Sequence, residues 1–191
     1  MTKPRLRLYA LYADLLEYPA FPIKPQMVEC RELLQQENPA AGELLAGFVE
    51  WVNQEALSQL EELYTHTFDL QAVCCPYVGH HLFGDNYQRS WFMAHLNHGY
   101  QEKGFSCGSE LPDHVAVVLR FLARGDTDEF SQVLLQEGLI PAVEKMTQAF
   151  DHDGQHPYGR VLRSLITLLQ DGQVTEEVGL VSTQMGGLRN A

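Results

Sequence analysis

The chain has 191 residues, with 25 acidic side chains against 13 basic ones, a formal net charge of -12. That balance excludes nonspecific binding to nucleic acid or to an anionic membrane, where neutralised phosphate supplies most of the affinity; it suits a basic peptide drawn in by the long-range field, or a protein that its charge merely keeps soluble. The length fits one domain over 1–191 with a real core, no apolar run nears the ~18 residues of a membrane span, and Cys30, Cys74, Cys75 and Cys107 form no disulfide framework, so a cytoplasmic protein is expected.

Leu8, Leu11, Tyr12 and Leu15 recur at helical spacing. Asp14 and Glu17 interrupt this apolar segment and no small-residue cleavage site follows, so it reads as an amphipathic helix and not a secretory signal. Tyr18-Pro19 through Pro25 is a proline-rich turn, and Asn38-Pro39 ends a helix. Leu44, Leu45, Phe48, Val49 and Val52 predict a further helix, as do Leu57, Leu60, Tyr64 and Phe68. Ala72 to Gly84, with Pro76, Gly79 and Gly84, is expected to be an irregular connection.

A helix from Asn86 to about Lys103 carries Tyr87, Trp91, Phe92, Met93, Leu96 and Tyr100. Phe92, Leu96 and Tyr100 share a face; Trp91 lies off it, towards His95 and His98. The surplus of large apolar groups predicts either a deeply buried helix or an exposed recognition patch. After a loop at Gly104 to Ser109, the stretch Val115 to Ala123 is apolar nearly all round, with only Ala116, Arg120 and Arg124 in a narrow stripe. Such a helix belongs in the middle of a domain. Pro112 suits its first turn, Asp113 puts negative charge at its positive dipole end, and Ser109 or Glu110 offers a cap. Leu139, Val143, Met146 and Phe150 follow, with Pro141 near the helix start, and then a loop over 151–157. Tyr158, Leu162, Leu165, Ile166 and Leu169 form the cleanest stripe, ending at Asp171-Gly172. From Gly179 to 191 few anchors remain, and a mobile tail is expected. Two-residue alternation is absent throughout. The fold class predicted is all-α, a single globular bundle of several short helices.

Two readings of Asp113 and His114 stay open at this level. They complete a helix start, or they face a groove where Asp113 pairs with a partner's arginine and His114 adds a donor. Cys74, Cys75, His80, His81, His95 and His98 contain metal-binding side chains, but their spacing matches no zinc pattern, and no metal or other cofactor is expected. Neither a nucleophile turn nor a phosphate loop occurs, so catalysis is not expected. A His/Cys metal-binding protein and a general helical adaptor are the alternatives.

The run LFGDNYQR (Leu82 to Arg89), the Tyr100 to Phe105 stretch and ELPDHVAVVLRFLA (Glu110 to Ala123) resemble the NarJ-type nitrate reductase delta-subunit proteins, part of the wider TorD/DmsD family of molybdoenzyme assembly chaperones. The likeness extends over roughly Leu57 to Arg124 and is strongest at Glu110-Leu111-Pro112-Asp113-His114. It implies an all-helical chaperone without turnover. Such a protein binds the N-terminal or twin-arginine leader segment of a molybdopterin-containing catalytic subunit until cofactor is inserted and partners have assembled. It also implies peptide contacts at Pro112, Asp113 and His114, with Glu110 and Arg120 as lesser carry-overs. Tyr64 and Phe68 belong to a looser match, and Trp91 and Phe92 are the rings expected to meet the leader's apolar face. A homodimer is compatible with the resemblance.

Overall fold

In the computed structural model the backbone is described for residues 2–70 and 72–185, and side chains as far as Asp171. Ten α-helices occur among these residues, with no strand; the isolated bridge Tyr77↔His114 is the one strand-like pairing described.

Helix α1 (Lys3–Leu15) is capped by Thr2, whose hydroxyl accepts from the Arg5 amide, and Pro4 stands in its first turn. It buries Leu8, Tyr9, Leu11, Tyr12 and Leu15 between α2 (Lys24–Glu37) and the apolar α7 (Val115–Leu122). Asn38 closes α2 and opens α3 (Pro39–Gln54): its side chain accepts from Ala41 N–H at 2.9 Å, and Pro39 occupies a position where no amide is needed. Helix α3 packs against α2 and α10 (Pro157–Met185). One buried polar chain joins three of these helices. Ser164 Oγ donates to the Ala41 carbonyl at 2.6 Å, so Tyr12 O–H must donate to Ser164 Oγ, at 2.5 Å. Helix α10 runs on past Asp171-Gly172, where the sequence predicted its end; one glycine costs a helix only about 1 kcal/mol. The tail expected from Gly179 falls partly on this helix, and residues 186–191 lie outside the described residues.

Helix α4 (Leu57–Phe68) sends Tyr64 and Phe68 into a ring cluster with Phe48 and Tyr158, centroids 4.9–5.9 Å apart. The connection expected over 72–84 contains a short helix, α5 (Val78–Phe83), ended by Gly84 at φ 69°. Six residues between Pro76 and Gly84 are too few to show a period. Helix α6 (Tyr87–Glu102) buries only Leu96, Gly99 and Tyr100. Its end is a left-handed glycine stop: Gly104 has φ 62°, Phe105 N–H returns to the Tyr100 carbonyl at 2.8 Å, and the two rings pack 5.1 Å apart. Helices α8 (Glu129–Val133) and α9 (Ile140–Gln148) are joined by a π-helical turn, Leu134–Leu139. Pro141 follows immediately. A proline inside a continuing helix removes one amide and crowds the preceding turn, and the wider π register accommodates it.

A second ring cluster, Tyr100, Phe105, Phe121 and Phe130, fixes α6 against α7 and α8. Phe130 sits so close to Gly99 that a Cβ there would stand 2.3 Å from the ring. Gly99→Ala should therefore lower stability by about 1–3 kcal/mol through overpacking. A reduced urea midpoint with unchanged far-UV dichroism is the expected result.

Candidate functional site

The Pro112-Asp113-His114 turn is built from inside the protein. Asp113 is fully buried, and its Oδ2 accepts from Arg89 Nε at 2.9 Å. Arg89 comes from α6, where it also bonds Asp85 one turn earlier and lies 5.1 Å over the Tyr77 ring. The backbone ties the same turn to the entry of α5: Val78 N–H donates to the Asp113 carbonyl at 2.7 Å and Val115 N–H to the Pro76 carbonyl at 2.9 Å. Tyr100 O–H donates to the Pro112 carbonyl at 3.1 Å. Gly79 makes room for this, since a Cβ there would meet Asp113 Oδ2 at 2.8 Å. Asp113 Oδ1 has no hydrogen-bond partner.

His114, 3% exposed, is the N-cap of α7. Its Nδ1 accepts from Ala116 N–H at 3.1 Å, which fixes the ring as the neutral Nε2–H form. Burial pushes this imidazole below its ordinary pKa, against the opposing pull of Glu110, Glu17 and Asp113. Tyr77 packs edge-on to it at 5.5 Å and reaches Glu110 through its hydroxyl at 3.4 Å. Burial also raises the Tyr64 phenol, helped by Glu110, Tyr77, Glu17 and Asp69. These groups therefore surround one patch formed by the end of α1, by α4 and by the turn.

On that patch the surface opens. Tyr18, half exposed and edge-on to Tyr64 at 5.6 Å, divides two hollows. One, of about 820 Å³, is lined by Asp14, Glu17, Tyr18, Phe21 and Gln26, among others. The other, of about 640 Å³, is lined by Tyr18, Glu61, Glu62, Thr65, His66 and Leu70. Phe21 is 79% exposed and Leu70 67%. Carboxylates and apolar groups thus alternate along an open cleft. Its chemistry suits a chain segment bearing both cationic and apolar side chains.

The residues expected from the sequence divide accordingly. Glu110, His114, Tyr64 and Arg120 converge on this patch, with Phe68 beneath Tyr64. Pro112 is buried, and it lies before α7 instead of in its first turn. The cap is His114, not Ser109 or Glu110. Asp113 does not face a groove: its arginine belongs to the same chain. None of the residues expected from the sequence, Trp91 and Phe92 included, is among those lining the two hollows beside Tyr18. Trp91, 62% exposed, stacks flat on His95; Phe92 packs on Phe83. Sequence reasoning missed Glu17, Tyr18, Phe21, Glu61, Glu62 and Arg89. The Tyr-Pro-x-Phe-Pro run was the available signal, since rings set between prolines cannot enter a helix stripe.

Among the described residues no three His, Cys, Asp or Glu side chains converge as a metal site. His80 bonds Asp85, His81 bonds the Cys75 carbonyl, and His98 stands beside Glu102. All four cysteines are unbridged, and burial raises the Cys30 and Cys74 thiols to about 12. No described helix is long and apolar enough to cross a membrane.

The family model for the nitrate reductase delta subunit matches residues 34–153. The chain belongs to that family. Among solved structures, an Archaeoglobus fulgidus protein described as a redox enzyme maturation protein shares the fold with a TM-score of 0.56. It is 18% identical over 87% of this chain and 94% of its own. No curated protein matches the chain. The delta-subunit family is one of maturation chaperones and not of catalysts. Asp113 and His114 form no relay, because the carboxylate is taken by Arg89 and Nδ1 by a backbone amide.

In this delta-subunit chain, Arg89→Met should leave the Asp113 charge buried and unpaired, costing on the order of 3 kcal/mol in urea unfolding. Adding Asp113→Leu should restore much of the loss. Burial also lowers His81 and His156. Each depressed imidazole binds fewer protons folded than unfolded, so stability is full above the ordinary pKa of about 6.5 and falls as the pH drops below it. Urea midpoints between about pH 7.5 and pH 5.5 should show that decline, and His114→Asn should make it shallower.

Proposed function

We propose that this protein is a cytoplasmic chaperone that holds the N-terminal or twin-arginine leader segment of a molybdopterin-containing catalytic subunit, of nitrate reductase type, during cofactor insertion and subunit assembly. The observation that carries the reading is the pair of hollows flanking Tyr18, where Asp14, Glu17, Glu61 and Glu62 stand beside Tyr18, Phe21 and Leu70. Membership of the delta-subunit family supplies the class of client.

The physics of such a site favours holding and letting go. A leader segment is disordered when free and loses conformational freedom on binding, which costs about 2–5 kcal/mol of the gross interaction. Apolar side chains laid against Tyr18, Phe21 and Leu70 gain about 25 cal/mol for each Å² of apolar surface buried. Each exposed ion pair with Glu61 or Glu62 adds only about 0.2–1 kcal/mol. The sum is a reversible complex that weakens with salt. Asp113 serves this site from within, by holding the turn that presents His114 and Glu110.

Calorimetry with a peptide copying the client's N-terminus tests the reading. Saturable binding that weakens with salt is expected. Glu61→Lys with Glu62→Lys should reduce affinity about tenfold or more, at unchanged helical content. Wild-type protein that binds neither this peptide nor the intact catalytic subunit would contradict it.

A further inference from the structure

Arg120 is the basic side chain that interrupts the otherwise apolar α7, and it spends its donors on the acids of one hollow. Its Nη1 donates to Glu17 Oε1 at 2.9 Å, while Nη2 reaches Glu17 Oε2 and also Asp14 Oδ1 at 3.2 Å. Asp14 and Glu17 both line the hollow beside Tyr18 and Phe21, and no lysine or arginine is among its lining residues. A fourth acceptor stands there unused: Gln26 Oε1 is buried without a hydrogen-bond partner. All three members of the ion-pair cluster keep contact with water, with side-chain exposures of 34% for Arg120, 36% for Asp14 and 49% for Glu17. The Arg120 hydrogen bond is the main cause that holds the Glu17 carboxyl below its usual pKa, so this acid is charged and already engaged.

The geometry points to Arg120 as an internal place-holder, a guanidinium that occupies in the empty chaperone the acceptors a cationic client side chain takes in the complex. This inference rests on the peptide-holding role proposed above and names a further step in it. A planar guanidinium fork matches a carboxylate edge through two parallel donors. Glu17 already accepts such a fork, so an entering arginine meets a shaped acceptor and a competitor for it. Exchange of one guanidinium for another keeps Glu17 paired throughout. Capture therefore avoids stranding a bare carboxylate, and release returns Glu17 to Arg120 in place of water. The competitor lowers affinity, which a chaperone that must surrender its client requires. It also selects for a donor that can form the same fork, so arginine is favoured over lysine.

A double-mutant cycle decides the matter, using a peptide copying the client's N-terminus and a second peptide with citrulline in place of each arginine. Arg120→Gln should bind the arginine peptide about threefold to tenfold more tightly than wild type, as expected when one exposed ion pair no longer competes. The gain should vanish with the citrulline peptide. Arg120→Lys, which keeps the charge and loses the fork, should fall between. Thermal unfolding of each variant separates loss of fold from loss of competition, and Arg120→Lys provides the reading if Arg120→Gln does not fold. Wild-type binding with unchanged or weaker affinity in the variants would make Arg120 a plain tie between α7 and α1 and overturn the inference alone. Absence of wild-type binding would overturn the peptide-holding role as well.

Discussion

The buried ion pair between Arg89 and Asp113 is the constraint on which the rest of the structure depends. It joins α6 to the turn before α7, and the backbone bonds of Pro76, Val78, Asp113 and Val115 tie the same turn to the start of α5. A carboxylate with no exposed surface is costly unless paired. The pairing therefore dictates much around it: a glycine at position 79, a tyrosine ring beneath the guanidinium and an ordered start for the most apolar helix. Whether such a pair adds net stability over an apolar substitute is a separate matter. Its specific contribution is register. It sets where His114 and Glu110 stand relative to the end of α1.

That placement gives the surface its character. Glu17 just past α1, Tyr64 from α4 and Tyr77, Glu110 and His114 from the bridge region meet at one patch, and Tyr18 divides the hollows above it. Elements distant in sequence thus build a cleft that no single helix carries. The acids stand beside partly exposed rings, an arrangement suited to many weak contacts. The other exposed aromatic group, Tyr87 and Trp91 with His95, sits on α6, outside both hollows. Two such surfaces on one small protein are chemically distinct: one is rich in carboxylate, while the other sets Tyr87 beside both Asp85 and Arg89.

Much of the fold was legible because most helices are long enough to show a stripe. Leu8 through Leu15, Leu57 through Phe68 and Tyr158 through Leu169 each repeat at helical spacing, and each stripe is largely buried. The short α5 and the π-helical turn were not legible, since six residues give no period and the register shift follows from one proline in its tertiary setting. The site was half legible. The acidic composition was compatible with a basic peptide or with solubility alone, and the Pro-Asp-His turn marked a place of interest. The sequence does not say that the two most distinctive stretches, LFGDNYQR and ELPDH, are the two halves of one ion pair, because they stand 24 residues apart. Of the two readings open for Asp113, the buried pairing with Arg89 favours the structural one. Tyr18 and Phe21 were legible only as part of a proline-rich turn, because exposure in a loop leaves no periodic trace.

The central claim is that the acidic, ring-lined cleft around Tyr18 receives the client segment while the Arg89–Asp113 pair stays closed beneath it. Backbone amide shifts followed by nuclear magnetic resonance during titration with the client's N-terminal peptide test this most directly. Shifts concentrated at Asp14 to Gln26, at Glu61 to Leu70 and at Glu110 to His114, with Arg89 little moved, are predicted. Shifts confined to Tyr87, Trp91 and His95 on α6, with the cleft silent, would contradict it.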